Sequence, residues 1–245
     1  MNAIEENAFT KCLQELGRRL PVPKAVCVIS AHWVTRGSQV LGVDWPETIH
    51  DFYGFPRALY EVKYPAPGAP AEAKRLAMER HLKVDHEWGL DHGAWSVLRH
   101  MYPKADVPVF QVSLDHERTL PEHVALGEEL QALRERGVLI LGSGNVVHNL
   151  HRINWEMGNG GYPWAVEFDE KVKQSIAARD LQAVASPEKW GNGLLGEAHP
   201  TLEHYAPLLY CMGATEKRDE VSFPYEGMEF GTISMRMAMF ESRPA

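Results

Sequence analysis

Lys24-Ala-Val-Cys-Val-Ile-Ser30 runs straight into Ala31-His32-Trp33. The run is short, continuously apolar and rich in β-branched residues, with no polar residue alternating through it. That pattern fits a strand buried on both faces, as in a parallel sheet covered by helices. Upstream, Ile4, Phe9, Leu13, Leu16 and Leu20 recur at roughly helical spacing, and Pro21 and Pro23 end that helix. Downstream, further short strands are expected at 39–43, 107–114 and 138–141. Helical patterns fall at 71–82, 93–101, 121–136, 164–179 and 203–212, and residues 231–240 alternate as an antiparallel or edge strand. Strands alternating with helices imply an α/β fold with a mostly parallel central sheet flanked by helices. With no linker, repeat or low-complexity tract in view, the expectation is one domain over 1–245.

Residues 45–70 read differently. Proline and glycine are dense there, with aromatics among them: Phe52-Tyr-Gly-Phe-Pro56 and Tyr64-Pro-Ala-Pro-Gly-Ala-Pro70. Disordered linkers lack so many aromatics, and loops this long in compact folds are usually functional.

Composition removes whole classes of function. The chain has 245 residues, 44% hydrophobic and 24% charged, which is globular. Its 25 Lys+Arg against 33 Asp+Glu, net −8, argue against a basic nucleic-acid footprint. No apolar stretch approaches the ~18 residues of a membrane span, and no basic-then-apolar leader opens the chain. Cys12, Cys27 and Cys211 are odd in number and far apart, which fits a reducing cytoplasm better than a disulfide framework.

Twelve histidines are the compositional oddity. His32 follows the strand ending at Ser30. His148 lies in Gly142-Ser-Gly-Asn-Val-Val-His-Asn-Leu150, after the strand at 138–141. Both therefore fall at strand carboxyl ends, where open α/β sheets bind ligands. His92, in Leu90-Asp-His-Gly-Ala-Trp95, and His204, in His199-Pro-Thr-Leu-Glu-His204, are placed there by inference. Histidines converging on one edge would bind a transition metal and also move protons near neutral pH. Any one histidine taken alone is more often a structural or surface group, and the chain has no H-x-x-x-H or C-x-x-C to fix a metal site by spacing. Gly142-Ser-Gly-Asn145 lacks a full phosphate-binding fingerprint, and no Gly-x-Ser-x-Gly marks a hydrolase nucleophile.

Six motifs in order carry a resemblance: Ser30-Ala-His-Trp33, Thr48-Ile-His-Asp-Phe-Tyr-Gly-Phe-Pro56, Tyr64-Pro-Ala-Pro-Gly-Ala-Pro70, Leu90-Asp-His-Gly-Ala-Trp95, Gly142-Ser-Gly-Asn-Val-Val-His-Asn-Leu150 and Glu203-His-Tyr-Ala-Pro-Leu208. Together they resemble the class III extradiol ring-cleavage dioxygenases of the protocatechuate 4,5-dioxygenase (LigB) type, in the 4,5-DOPA dioxygenase-like branch. The resemblance implies an α/β domain of phosphorylase/hydrolase-like architecture and a non-haem Fe(II) centre, with Zn(II) as a common substitute. It also implies cleavage of a catechol ring beside its hydroxyls with O₂. Carried over, His32 and His204 match metal ligands. His148 matches a histidine that lies against the metal as ligand or acid/base, and His92 matches a histidine that handles the substrate hydroxyl. In the family a further metal histidine sits in a Gly-His-Gly-Ser-Pro-like turn just upstream of a Met-Asn segment. This sequence opens at Met1-Asn2, so that first strand and its ligand are expected to be missing, and weak metal binding and poor turnover are expected of the chain as written.

The chemistry itself asks for these residue types. A catechol chelates through two oxygens and O₂ needs a further position, so the protein must leave coordination sites open. A base of near-neutral pKa must take a catechol proton and later return one, which suits His148 and His92. Trp33, Phe52, Tyr53, Phe55 and Trp95 are candidate walls for an aromatic pocket, and each serves ordinary core packing equally well. Two alternatives remain on the residues alone. The same histidines would serve a zinc-dependent hydrolase, and an incomplete metal site would make an inactive relative.

Overall fold

The apolar run at 24–30 forms the strand Ala25–Ser30, and every residue in it is buried. A computed structural model, describing residues 2–191 and 193–242, sets this strand between two parallel neighbours, Val109–Gln111 and Val138–Ser143. Pairing with the second neighbour runs from Ala25↔Val138 to Ser30↔Ser143. The two strands thus finish level, and Ala31 N–H donates to the Ser143 carbonyl at 2.9 Å. Val34–Thr35 pairs with Leu114–Asp115, and Gln39–Leu41 with Lys83–Asp85, again in parallel. The fold is α/β with a mostly parallel central sheet flanked by helices, as the alternation of patterns implies.

Two compact units can be distinguished along the chain. The first runs to Glu117 and adds Ala132–Ser143; the second comprises Arg118–Gln131 and the chain from Gly144 onward. In the first, helix Ala8–Arg19 opens with a capping box: Thr10 N–H donates to the Asn7 side chain, and Asn7 N–H to Thr10 Oγ1, both at 2.9 Å. It packs on helix His92–Met101, which lies on the central strands. The loop at 45–70 is ordered against the sheet, with bridges Thr48↔Leu90 and Gly68↔Val109; it contains the short helix Arg57–Tyr60 and leads into the helix Pro70–Arg80.

In the second unit, helices Leu120–Leu130, Pro163–Ala177 and Ala206–Gly213 enclose a core that includes Val124, Val147, Phe168, Val172, Tyr205 and Leu209. Two antiparallel pairs complete it: Glu220–Ser222 with Met239–Glu241, and Met228–Glu229 with Ile233–Ser234.

Three expected elements are broken. The strand expected at 107–114 splits into Val109–Gln111 and Leu114–Asp115, each with a different partner. The helix expected at 121–136 stops at Leu130, and Ala132–Glu135 belongs to the first unit. The strand expected at 231–240 gives only Ile233–Ser234 and Met239–Glu241. There Ser234 donates to buried Asp169, and Arg236 turns its guanidinium onto the same carboxylate. The backbone between the two short strands is still paired, with Met235 N–H donating to the Gly227 carbonyl at 2.9 Å and Met237 N–H to the Tyr225 carbonyl at 2.8 Å. Among the described residues no helix is long and apolar enough to cross a membrane.

Candidate active site

In the first unit, one buried carboxylate brings three parts of the chain together. Asp91 caps helix His92–Met101 by accepting from Ala94 N–H. It also accepts from Ser30 Oγ at 2.6 Å and from Gln111 Nε2 at 3.1 Å. A helix start is thereby tied to the carboxyl ends of two neighbouring strands. Gly93 makes the approach possible: a Cβ there would lie 2.5 Å from Ser30 Oγ and 2.9 Å from His32 Cδ2. The result sets His92 against His32, with ring centroids 3.8 Å apart.

Asp51, from the aromatic loop, meets both histidines. His92 donates twice to it, from the backbone N–H to Oδ1 at 2.9 Å and from ring Nδ1 to Oδ2 at 2.8 Å. His32 Nδ1 is 3.6 Å from the same Oδ2. Burial alone would raise the Asp51 carboxyl. The hydrogen bonds from the His92 ring and backbone, with the charges of His92 and His32, outweigh it and hold the group below the ordinary carboxylate value. His32, Asp51 and His92 can each offer one ligand atom with all three within 4.8 Å of one another. Two imidazoles and a carboxylate are a donor set that suits Fe(II) or Zn(II).

A cleft opens beside His92, walled by Phe52, Phe55, Leu59, Trp95 and Ser96 with Asn2 and Ala3. Phe52 meets the His92 ring edge to face at 5.3 Å, and Trp95 is held by a 2.8 Å bond from Nε1–H to the Ile49 carbonyl. Trp33 and Tyr53 do not line this cleft. Trp33 is buried and stacked on Trp88, and Tyr53 is 91% exposed. Consecutive loop residues point in different directions, so membership of an aromatic stretch does not determine which side chain turns inward.

In the second unit, His148 and His204 stack with centroids 3.5 Å apart and an interplanar angle of 6°. Backbone bonds fix both: His148 N–H donates to the Ala198 carbonyl at 3.0 Å, and Asn145 N–H to the His204 carbonyl at 2.9 Å. Asn145 Oδ1 is 3.2 Å from His204 Nδ1, while its Nδ2 donates to the Ser234 carbonyl at 2.8 Å. His199, buried beneath, donates from Nε2 to the Val146 carbonyl at 2.7 Å. Burial pushes its pKa down to about 4; the Val146 bond opposes this, and the charge of His148 adds to it. Glu203, next to His204, accepts from Thr201 Oγ1.

The structure therefore groups His32 with His92, and His148 with His204. Asp51, Asn145 and His199 stood inside the quoted motifs, yet sequence reasoning gave them no role. For Asp51 the available signal was a carboxylate in a long, aromatic-rich loop, where function concentrates.

Comparison with known proteins agrees with these motifs. Residues 3–240 match the family model for the catalytic LigB subunit of aromatic ring-opening dioxygenase. Over 243 residues, 96% of this chain and 89% of the relative, the sequence is 44% identical to 4,5-DOPA dioxygenase extradiol of Escherichia coli (strain K12). It is 38% identical to the protein of the same name from Beta vulgaris, covering 90% of this chain and 84% of that one. Among solved structures, uncharacterized protein JW3007 from Escherichia coli K12 superposes with a TM-score of 0.83 at 38% identity, covering 96% of this chain and 93% of that chain.

Proposed function

This chain belongs to the LigB family of aromatic ring-opening dioxygenases, and from that premise we propose that it cleaves a catechol ring beside its hydroxyls, using O₂ and a non-haem Fe(II) ion. The observation that carries this reading is His32, one candidate metal ligand, set against the His92–Asp51 pair beside a cleft walled by Phe52, Phe55 and Trp95. DOPA or a related catechol is the substrate class that the names of the relatives support. Fe(II) would supply the one-electron chemistry that lets O₂ react with the ring; Zn(II) suits the same donors and would occupy them without that chemistry.

His32 is the ligand on which the resemblance and the donor group agree. His148 and His204 are proposed as ligands from the resemblance, which also allows His148 to act as an acid/base. His92 is proposed as the base that takes a catechol hydroxyl proton. Its Nδ1–H is committed to Asp51, so the neutral ring carries its lone pair on Nε2. Asp51 then stabilises the imidazolium that forms when that lone pair accepts the proton. Phe52 and Phe55 offer apolar faces to an aromatic ring, with the fully buried Trp95 packed behind Phe52.

The test is oxygen uptake by the chain loaded anaerobically with Fe(II), with L-DOPA and with catechol, beside zinc-loaded protein. Uptake that depends on both catechol and iron, with a ring-opened product, is expected. Full iron occupancy with no catechol-dependent uptake would overturn the reading.

A further inference from the structure

Asn145 stands just beyond the strand Val138–Ser143, and its side-chain amide is committed at both ends. Nδ2 donates to the Ser234 carbonyl at 2.8 Å, and Oδ1 faces Nδ1 of His204 at 3.2 Å. A backbone carbonyl can only accept, so Ser234 fixes which way round the amide sits. Turned over, the amide would set its oxygen against another acceptor and its NH₂ against His204. With Oδ1 facing the ring, His204 must present its hydrogen at Nδ1. A neutral imidazole has one N–H, so the lone pair then belongs to Nε2.

The same geometry is held a second time by the main chain. Asn145 N–H donates to the His204 carbonyl at 2.9 Å. Gly144 lies so close to that carbonyl that a Cβ would come within 2.3 Å of its oxygen. Ser234 is itself anchored, because its N–H donates to the Val147 carbonyl at 3.0 Å and its hydroxyl to Asp169 at 2.6 Å. The acceptor that orients the amide is therefore fixed by the fold, independently of His204.

We infer that Asn145 is a positioning residue: through Ser234 it holds His204 as the Nδ1–H tautomer and so makes Nε2 the atom that His204 offers to a metal. The metal half of this statement rests on the proposed role of His204 as a ligand; the tautomer half does not. An imidazole free to carry its hydrogen on either nitrogen would have to move it before ligating through Nε2. Partners of this kind typically change metal affinity by about 10–100-fold.

The experiment uses the full chain, first without metal. Two-bond nitrogen–proton correlation at about pH 8, where histidine is neutral, reads the tautomer of each ring, and the spectrum of His204→Ala assigns His204. The expected result is hydrogen on Nδ1 of His204. A hydrogen on Nε2 overturns the inference, and this reading needs no Asn145 variant, so a failure of Asn145→Leu to fold leaves it decisive. Zn(II) affinity is then measured by competition with a chromophoric chelator. Asn145→Asp keeps an acceptor for Nδ1–H and is expected to retain both tautomer and affinity better than Asn145→Leu. Asn145→Leu is expected to lose the fixed tautomer and to bind Zn(II) about 10–100-fold more weakly. Wild-type tautomer or wild-type affinity in Asn145→Leu overturns the positioning role. If His204→Ala binds Zn(II) as tightly as wild type, the ligand assignment of His204 fails and takes the metal half of the inference with it, whatever the tautomer.

Discussion

His92 is held by one carboxylate at two points: its ring Nδ1 lies 2.8 Å from Oδ2 of Asp51, and its backbone N–H donates to Oδ1 at 2.9 Å. The double contact fixes both the position of the residue and the tautomer of its ring. Asp51 comes from the aromatic loop and His92 from the first turn of a helix, so the pair also locks the loop to the sheet edge.

Asp51→Asn keeps the size of the side chain and removes its charge. Turnover is expected to fall about 10–100-fold with little change in KM, as for loss of a group that orients and charges a working histidine. Iron content should stay near wild type. Loss of iron in step with activity would show that Asp51 is itself a ligand.

His148→Ala should lower kcat by about 10²–10⁴-fold if the ring acts as acid or base, with the catechol KM nearly unchanged. Metal analysis of the same sample decides between its two roles. Activity lost only in proportion to iron would make His148 a ligand and nothing more.

His199 gives the chain a pH-dependent stability. Its folded pKa of about 4 lies below the ordinary histidine value because burial disfavours the charged ring. Its Nδ1 has no hydrogen-bond partner among the described residues, so a proton there would be buried and unpaired. Between the folded and unfolded pKa values the unfolded chain binds more protons. The contribution is therefore complete above the unfolded value, about 6.5, and is lost as pH falls through about 4. It amounts to roughly 3 kcal/mol across that window. Urea unfolding at several pH values should show a shallower slope in His199→Gln, which keeps a donor for Val146 and does not titrate. Equal slopes in the two proteins would exclude His199 as the source.

Gly144→Ala should destabilise the chain by about 1–3 kcal/mol, because the new methyl meets the His204 carbonyl, which the backbone already holds. The urea midpoint reads this directly. An unchanged midpoint would mean that the two loop segments separate at no cost.

Much of this protein was written locally. The strand at 25–30 followed from a run of apolar, β-branched residues, and the helix before it from spacing and two prolines, because those preferences act over a few neighbouring residues. His32, His92, His148 and His204 stood out because they sit in loop-rich words at the ends of elements. The interrupted segments at 107–114 and 231–240 were not legible, since their apolar content is continuous and the interruption comes from partners far along the chain.

By itself, then, the sequence determined the alternation of strands and helices, the α/β class and the histidines worth watching. Only the tertiary structure decided that Asp51 holds His92 across 41 positions, that Asn145 faces His204 across 59, and that Trp95 rather than Trp33 walls the cleft. The reason is physical: periodicity reports which face of an element is apolar, whereas a hydrogen bond between side chains depends on where the sheet brings distant loops, and no local preference encodes that.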